Sequence, residues 1–172
     1  MDALSGRAVT RFDLSQLDGP PYRFMHRADL IAVLEKACRA LGVTIHLGSA
    51  VDSADLTADL VIGAEGIKSG TRAALNGDAD PFFTGQVAWR AIVDAPNADP
   101  VAQIWMAPRR HVVTYPLPGG RVNIVAVQER AQWANEGWNH RDDAANLRQV
   151  FRDVSPSLMS LLSKIETVHL WG

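Results

Sequence analysis

A single cysteine, Cys38, in 172 residues leaves this chain no internal disulfide and no cysteine-based metal cluster. No His-Glu-x-x-His pattern or close histidine pair takes its place, so no metal site is expected. Charge of one sign is also lacking: 17 Lys and Arg stand against 19 Asp and Glu, and a net charge of -2 offers no electrostatic footprint for nucleic acid. No run of about 18 apolar residues is available to span a bilayer. The first residues lack the apolar core of a secretory signal, so a cytoplasmic protein without a membrane partner is expected. Internal repeats and low-complexity tracts are absent too.

What is present begins with a hydrophobic content of 47%, enough for one full core or two small ones. Residues 1–21 mix charge with Gly and Pro and read as a loose or edge segment. Leu30, Ile31, Leu34, Cys38 and Leu41 then recur at helical spacing, with Asp29 near the start and Gly42 past the end. That pattern predicts an amphipathic helix packed on a sheet, with Cys38 in the core. Val43, Ile45 and Leu47 alternate with Thr44 and His46 and predict a strand directly after it.

The organising stretch is Asp59 to Arg72. Leu60, Val61 and Ile62 form the short apolar run that a strand covered on both faces requires, and Gly63, Ala64, Glu65 and Gly66 follow as a turn poor in side chains. Ser69 stands where a helix N-cap belongs, ahead of a short helix ending at Asn76-Gly77. Glycines of this kind admit any neighbour closely, a ligand or simply another part of the chain.

After Pro81 the composition turns to β-type runs. Strands are expected at 86–93, 101–105, 111–117 and 122–128, with Pro118-Gly119-Gly120 as the last turn, which makes an antiparallel sheet. His111, Val113 and Tyr115 fall on one strand face, Val112 and Thr114 on the other. Two helices, one from Asp142 and one capped by Ser155-Pro156, precede a strand at 168–171. Trp89 suits a core position, Arg90 a supporting one, and Trp133 and Trp138 the edge of a domain. The division expected is 1–78 and 79–172.

The block from Gly63 to Leu75 resembles the Gly-Ala-Asp-Gly-x-x-Ser-x-x-Arg motif of the class A flavin-dependent aromatic hydroxylases, with Glu65 in place of the aspartate. Phe24 to Leu30, Thr84 to Ala91 and His111 to Leu117 resemble the salicylate hydroxylase-like branch of that family, so the resemblance runs from about Tyr22 to the C-terminus. It implies an α/β plus α+β fold: a partial FAD-binding, Rossmann-like α/β layer over 1–78, then an antiparallel β-sheet substrate domain with helices over 79–172. It also implies an FAD-dependent, NAD(P)H-using monooxygenase that hydroxylates a small aromatic acid.

By the same resemblance, Arg27, Val51, Glu65 and Gly66 would hold the cofactor, and His111 and Tyr115 would address the substrate. Histidine is suited to taking a phenol proton near neutral pH and so enriching the ring in electrons. From the residues alone, Arg27 serves equally as a solvated charge or a partner for Asp29. His111 and Tyr115 serve equally as a half-buried pair satisfied by the backbone. Ser69 and Arg72 are explained as well by a cap and a helix surface.

Three pieces of the family pattern are missing. No Gly-x-Gly-x-x-Gly turn is found for the flavin pyrophosphate, no Gly-Asp-Ala-Ala-His block follows, and 49–58 is too short for the family's β-hairpin. The chain therefore reads as the middle of such an enzyme, inactive alone, with apolar edges that predict marginal stability or association. The alternatives are a non-catalytic binding or oligomerisation module, such as a homodimer, and one half of a split flavoenzyme completed by a separate FAD-binding chain.

Overall fold

The computed structural model describes residues 1–132 and 140–172; the expectations for Trp133 and Trp138 lie outside them. In chain order its elements are α1 (Arg27–Ala40), α2 (Gly70–Asn76), β1 (Gln86–Asp94), β2 (Gln103–Ala107), β3 (Arg110–Leu117), β4 (Arg121–Glu129), β5 (Arg141–Asp142), α3 (Ala144–Val150), α4 (Pro156–Leu162) and β6 (Val168–Trp171). Single 3-10 turns occur at Leu14–Gln16, Ser53–Asp55 and Gly66–Lys68. The chain divides into two compact units, one of Met1–Leu30 with Phe83–Gly172 and one of Ile31–Phe82.

The first unit is built on a six-stranded sheet in the order β2-β3-β4-β1-β6-β5, and each neighbouring pair is antiparallel. The four long strands fall where alternation placed them, because alternation is what a sheet with one covered face produces. One face carries the core: Trp89, Val112, Ile124 and Ala126 pack with Leu147 and Phe151 from the α3 segment and with Leu158 and Leu162 of α4, all nearly inaccessible to solvent. Trp89 and Phe151 meet edge to face at 6.4 Å, a geometry aromatic rings favour.

Capping explains where the two helices start. The Asp143 side chain accepts from the Ala145 N–H, and Pro156 occupies the first turn after Ser155. Asp142 ties this end to the core by accepting the Trp89 indole N–H at 2.6 Å. On β3, one strand in from the opposite edge, Arg110 bonds the Val150 carbonyl and pairs with Asp153 at 2.6 Å. The edge-segment expectation holds for the first residues: Ala3 is buried, and its N–H donates to Met106 of β2 at 2.9 Å. That contact satisfies backbone groups that an edge strand otherwise leaves unpaired.

The second unit departs from expectation. Its helices form, α2 being capped by Ser69, but 43–47 and 60–62 are irregular rather than strands. A strand exists only through hydrogen bonds to a neighbour, and the one sheet among the described residues is the six-stranded one above. The expected packing of α1 on a sheet is likewise not realised. No residue of that helix is buried, Leu34 is 56% exposed, and Cys38 is only half-buried rather than core.

Candidate functional site

The face of the sheet opposite α3 and α4 bears the residues that sequence spacing had grouped. His111, Val113 and Tyr115 are half-buried and share it, whereas Val112 and Thr114 point into the core. Register extends the grouping across strands. His111 of β3 lies opposite Val127 of β4, Val127 opposite Ala88 of β1, and Ala88 opposite Trp171 of β6. A parallel row contains Val113, Val125, Arg90, His169 and Arg141.

A hollow of about 380 Å³ opens on this face and is lined by His111, Ile104, Met106, Val127, Gln86 and Glu129. Its lining combines apolar residues, Ile104, Met106, Ala107 and Val127, with polar and charged ones, Gln86, Arg109, Arg110 and Glu129. Arg109, at the β2–β3 turn, holds Glu129 at 3.0 Å, and its own backbone sits in the left-handed region at φ +57°.

Tyr115 does not line this hollow. It stands four residues further along β3, about 13 Å by strand rise, with its ring stacked on Phe24 at 5.0 Å and 21°. Phe24 in turn meets Tyr22 edge to face at 5.2 Å. Tyr115 also borders a second cavity, of about 400 Å³, together with Trp105, Thr114 and Lys164. The structure thus brings His111 and Tyr115 to one face but not to one hollow. Phe24 was missed as a neighbour of that face; it opens the block 24–30 singled out for its resemblance, and its signal was the aromatic pair it makes with Tyr22 just after the segment 1–21.

Arg90, expected as a supporting residue, lies with its guanidinium 4.1 Å from the centroid of the Trp171 ring, on the same face as His111. Trp89, next in sequence, is the core residue expected.

Within the second unit, Glu65 and Gly66 close the glycine turn. The Ser69 hydroxyl donates to Glu65 and accepts the Arg72 N–H at 3.0 Å, so one side chain caps α2 and fixes the carboxylate. Bonds from Ser69 and then Thr71 hold the Glu65 carboxyl below its ordinary value, outweighing slight desolvation. The two glycines are required for different reasons. Gly66 has φ +83° with open space around it, whereas a Cβ on Gly63 would meet the Thr71 side chain at 2.8 Å. Arg72 reaches back to the Ile67 carbonyl at 2.8 Å. Val51, 55% exposed, precedes the Ser53–Asp55 turn, and Arg27 opens α1 with its side chain at the surface of the first unit.

The chain is 30% identical to a 3-hydroxybenzoate 6-hydroxylase of Klebsiella oxytoca, in an alignment covering 100% of this chain and 49% of that protein. It is 32% identical to an FAD-dependent monooxygenase, OpS4, of Beauveria bassiana, covering 91% and 43% respectively. The first alignment runs to 199 positions against 172 residues, so that relative carries residues this chain lacks. Among solved structures, a salicylate hydroxylase substrate complex superposes with a TM-score of 0.61 at 27% identity, over 86% of this chain and 45% of that one. No family model matches the sequence. The chain spans about half the length of the relatives it matches.

Proposed function

The chain is a relative of the FAD-dependent aromatic hydroxylases, and from that premise we propose that it contributes the substrate-facing sheet and part of the flavin site of a monooxygenase acting on a small aromatic acid. In this reading 79–172 binds the substrate and 1–78 contributes to the cofactor site. The observation that carries it is His111, half-buried at a hollow of mixed apolar and polar lining on the open sheet face. An imidazole there accepts the proton of a phenol, and the phenolate ring is richer in electrons and more readily hydroxylated. Tyr115 and Phe24 act further along the face, where stacked rings shelter the substrate side from water.

The cofactor residues fit an FAD only in part. Gly66 presents a turn without a Cβ, and Ser69 and Thr71 leave the Glu65 carboxylate, with about four acceptor positions, room for a ribose hydroxyl. Arg27, Val51, Glu65 and Gly66 are the residues assigned to hold it. Bound FAD, once reduced by NAD(P)H, would activate dioxygen, one atom of which goes to the ring and the other to water. Glu65 carries one methylene more than the family's aspartate, so its oxygens stand about 1.5 Å further out.

The test is to add excess FAD to the purified chain, desalt, and record absorbance between about 350 and 500 nm. Retained flavin absorbance supports the cofactor assignment, and in protein that holds flavin, alone or completed by a second chain, His111→Gln is expected to lower substrate-dependent NADH oxidation by about 10²–10⁴-fold while leaving flavin content unchanged. A colourless chain refutes a flavin site for this polypeptide alone. A second reading rests on the exposure of Ile31, Leu34, Leu60 and Ile62: a separate chain supplies the pyrophosphate-binding part and covers them. Flavin retention only after a Gly-x-Gly-x-x-Gly-containing chain is added would establish that arrangement.

A further inference from the structure

The open sheet face carries a second chemical feature at the end of the row that His111 begins. Three strand spacings, about 14 Å, separate His111 from Trp171, and between them lie only Val127 and Ala88, a low apolar floor. At the Trp171 end the Arg90 guanidinium rests on the indole ring, 4.1 Å from its centroid. Arg90 and Trp171 are diagonal neighbours across β1 and β6, so the stacking holds a long side chain in one place.

Two arginines gather at this end. Arg90, His169 and Arg141 are successive cross-strand partners on the same face. No ion pair or side-chain hydrogen bond among the described residues reaches any of the three. Two arginines stand on either side of a histidine with no carboxylate among them, so an anion delivered from outside meets positive charge that nothing on this row opposes. The other charged residues of this face, Glu129 at the hollow's rim and Asp94 with its cross-strand partner Arg121, lie at the two ends of β1 and β4, away from Arg90.

We propose that Arg90, seated on Trp171 and flanked by His169 and Arg141, is the anchor for the carboxylate of the aromatic substrate, with the ring over Ala88 and Val127 and the ring hydroxyl toward His111. This rests on the reading of the face as the substrate side of a hydroxylase and deepens it. The face selects an aromatic acid over the corresponding neutral phenol, and the selection resides in β1 and β6 rather than in the histidine. A planar guanidinium meets a carboxylate through two parallel N–H···O bonds, stronger than a neutral contact and lost when the ligand carries no charge.

The experiment titrates the full chain, by ligand-observed NMR, with 3-hydroxybenzoate and with its neutral counterpart 3-hydroxybenzamide. Wild type is expected to bind the acid at least tenfold more tightly than the amide. Arg90→Gln abolishes that discrimination by weakening the acid at least tenfold while leaving the amide within twofold, and Arg90→Lys, which keeps the charge without the fork, recovers part of it. Equal affinity of wild type for the two probes, or an equal loss of both in Arg90→Gln, overturns the anchor while the hydroxylase reading stands. Binding of neither probe refutes both.

Discussion

Removing the Asp142 carboxylate should expose how the helical layer is fastened to the sheet. One oxygen accepts the Trp89 indole N–H at 2.6 Å, and the other accepts from Asn146 at 2.7 Å and from the Asp143 backbone at 2.8 Å. Trp89 has no solvent exposure, so in Asp142→Ala its indole N–H loses its acceptor inside the core, whereas the exposed donors of Asn146 and Asp143 turn to water. Losing a buried hydrogen bond to a charged group costs about 1.5–3 kcal/mol. Taking about 2 kcal/mol, the melting temperature falls by about 4–8 °C in a chain of this size. Asp142→Asn keeps an acceptor but not the charge and should cost about half as much.

The same carboxylate sets a pH dependence. Burial pushes its pKa up, but the bonds from Trp89, Asn146 and Asp143, together with the Arg130 charge, outweigh burial and hold it below the ordinary 3.8. A depressed folded-state pKa contributes stability that is complete above the unfolded value, about pH 4, and is lost as pH falls through the lower folded value. The advantage of wild type over Asp142→Asn should therefore be full at pH 7 and vanish in strong acid. Thermal unfolding followed by tryptophan fluorescence at both pH values checks this. A melting point for Asp142→Ala within about 1 °C of wild type at pH 7 would refute the reasoning.

Phe151→Ala removes a fully buried ring that meets Trp89, and should cost about 3–5 kcal/mol in denaturant unfolding. Gly63→Ala and Gly66→Ala should separate crowding from backbone strain. The first forces the Thr71 side chain away from a 2.8 Å contact, while the second meets open space and costs only about 1–2 kcal/mol for its left-handed conformation. Hydrogen exchange across 63–77 should rise in both, and more in Gly63→Ala, whose added methyl meets both Cβ and Cγ2 of Thr71 at 2.8 Å. Ser69→Ala removes the α2 cap and the Glu65 hydrogen bond together, which should raise exchange at 70–77 and return the Glu65 pKa toward its ordinary value. NMR titration of the carboxyl carbon reads that shift directly.

The four long strands and the helix caps were legible in the chain because they rest on short-range rules. Alternation over 86–93 and 111–117 follows from one covered face, Pro118-Gly119-Gly120 from the left-handed backbone of both glycines, and the α3 and α4 starts from Asp143 and Ser155-Pro156. The shared face of His111 and Tyr115 was equally legible, since a strand has period two. Which of the two lines the hollow was not, because its lining comes from β1, β2 and β4 as well as β3.

The amino-acid sequence by itself determined the antiparallel sheet, the strand face that carries His111, and the glycine turn at 63–66. Only the tertiary structure decided that β6 lies beside β1 and so sets Trp171 under Arg90, that Phe24 stacks on Tyr115, and that 43–47 and 60–62 remain unpaired. The physical reason is common to all three. Helix caps and turns are satisfied within a few residues, whereas a strand, a stacked ring or a cross-strand ion site exists only when a segment distant in sequence arrives to complete it.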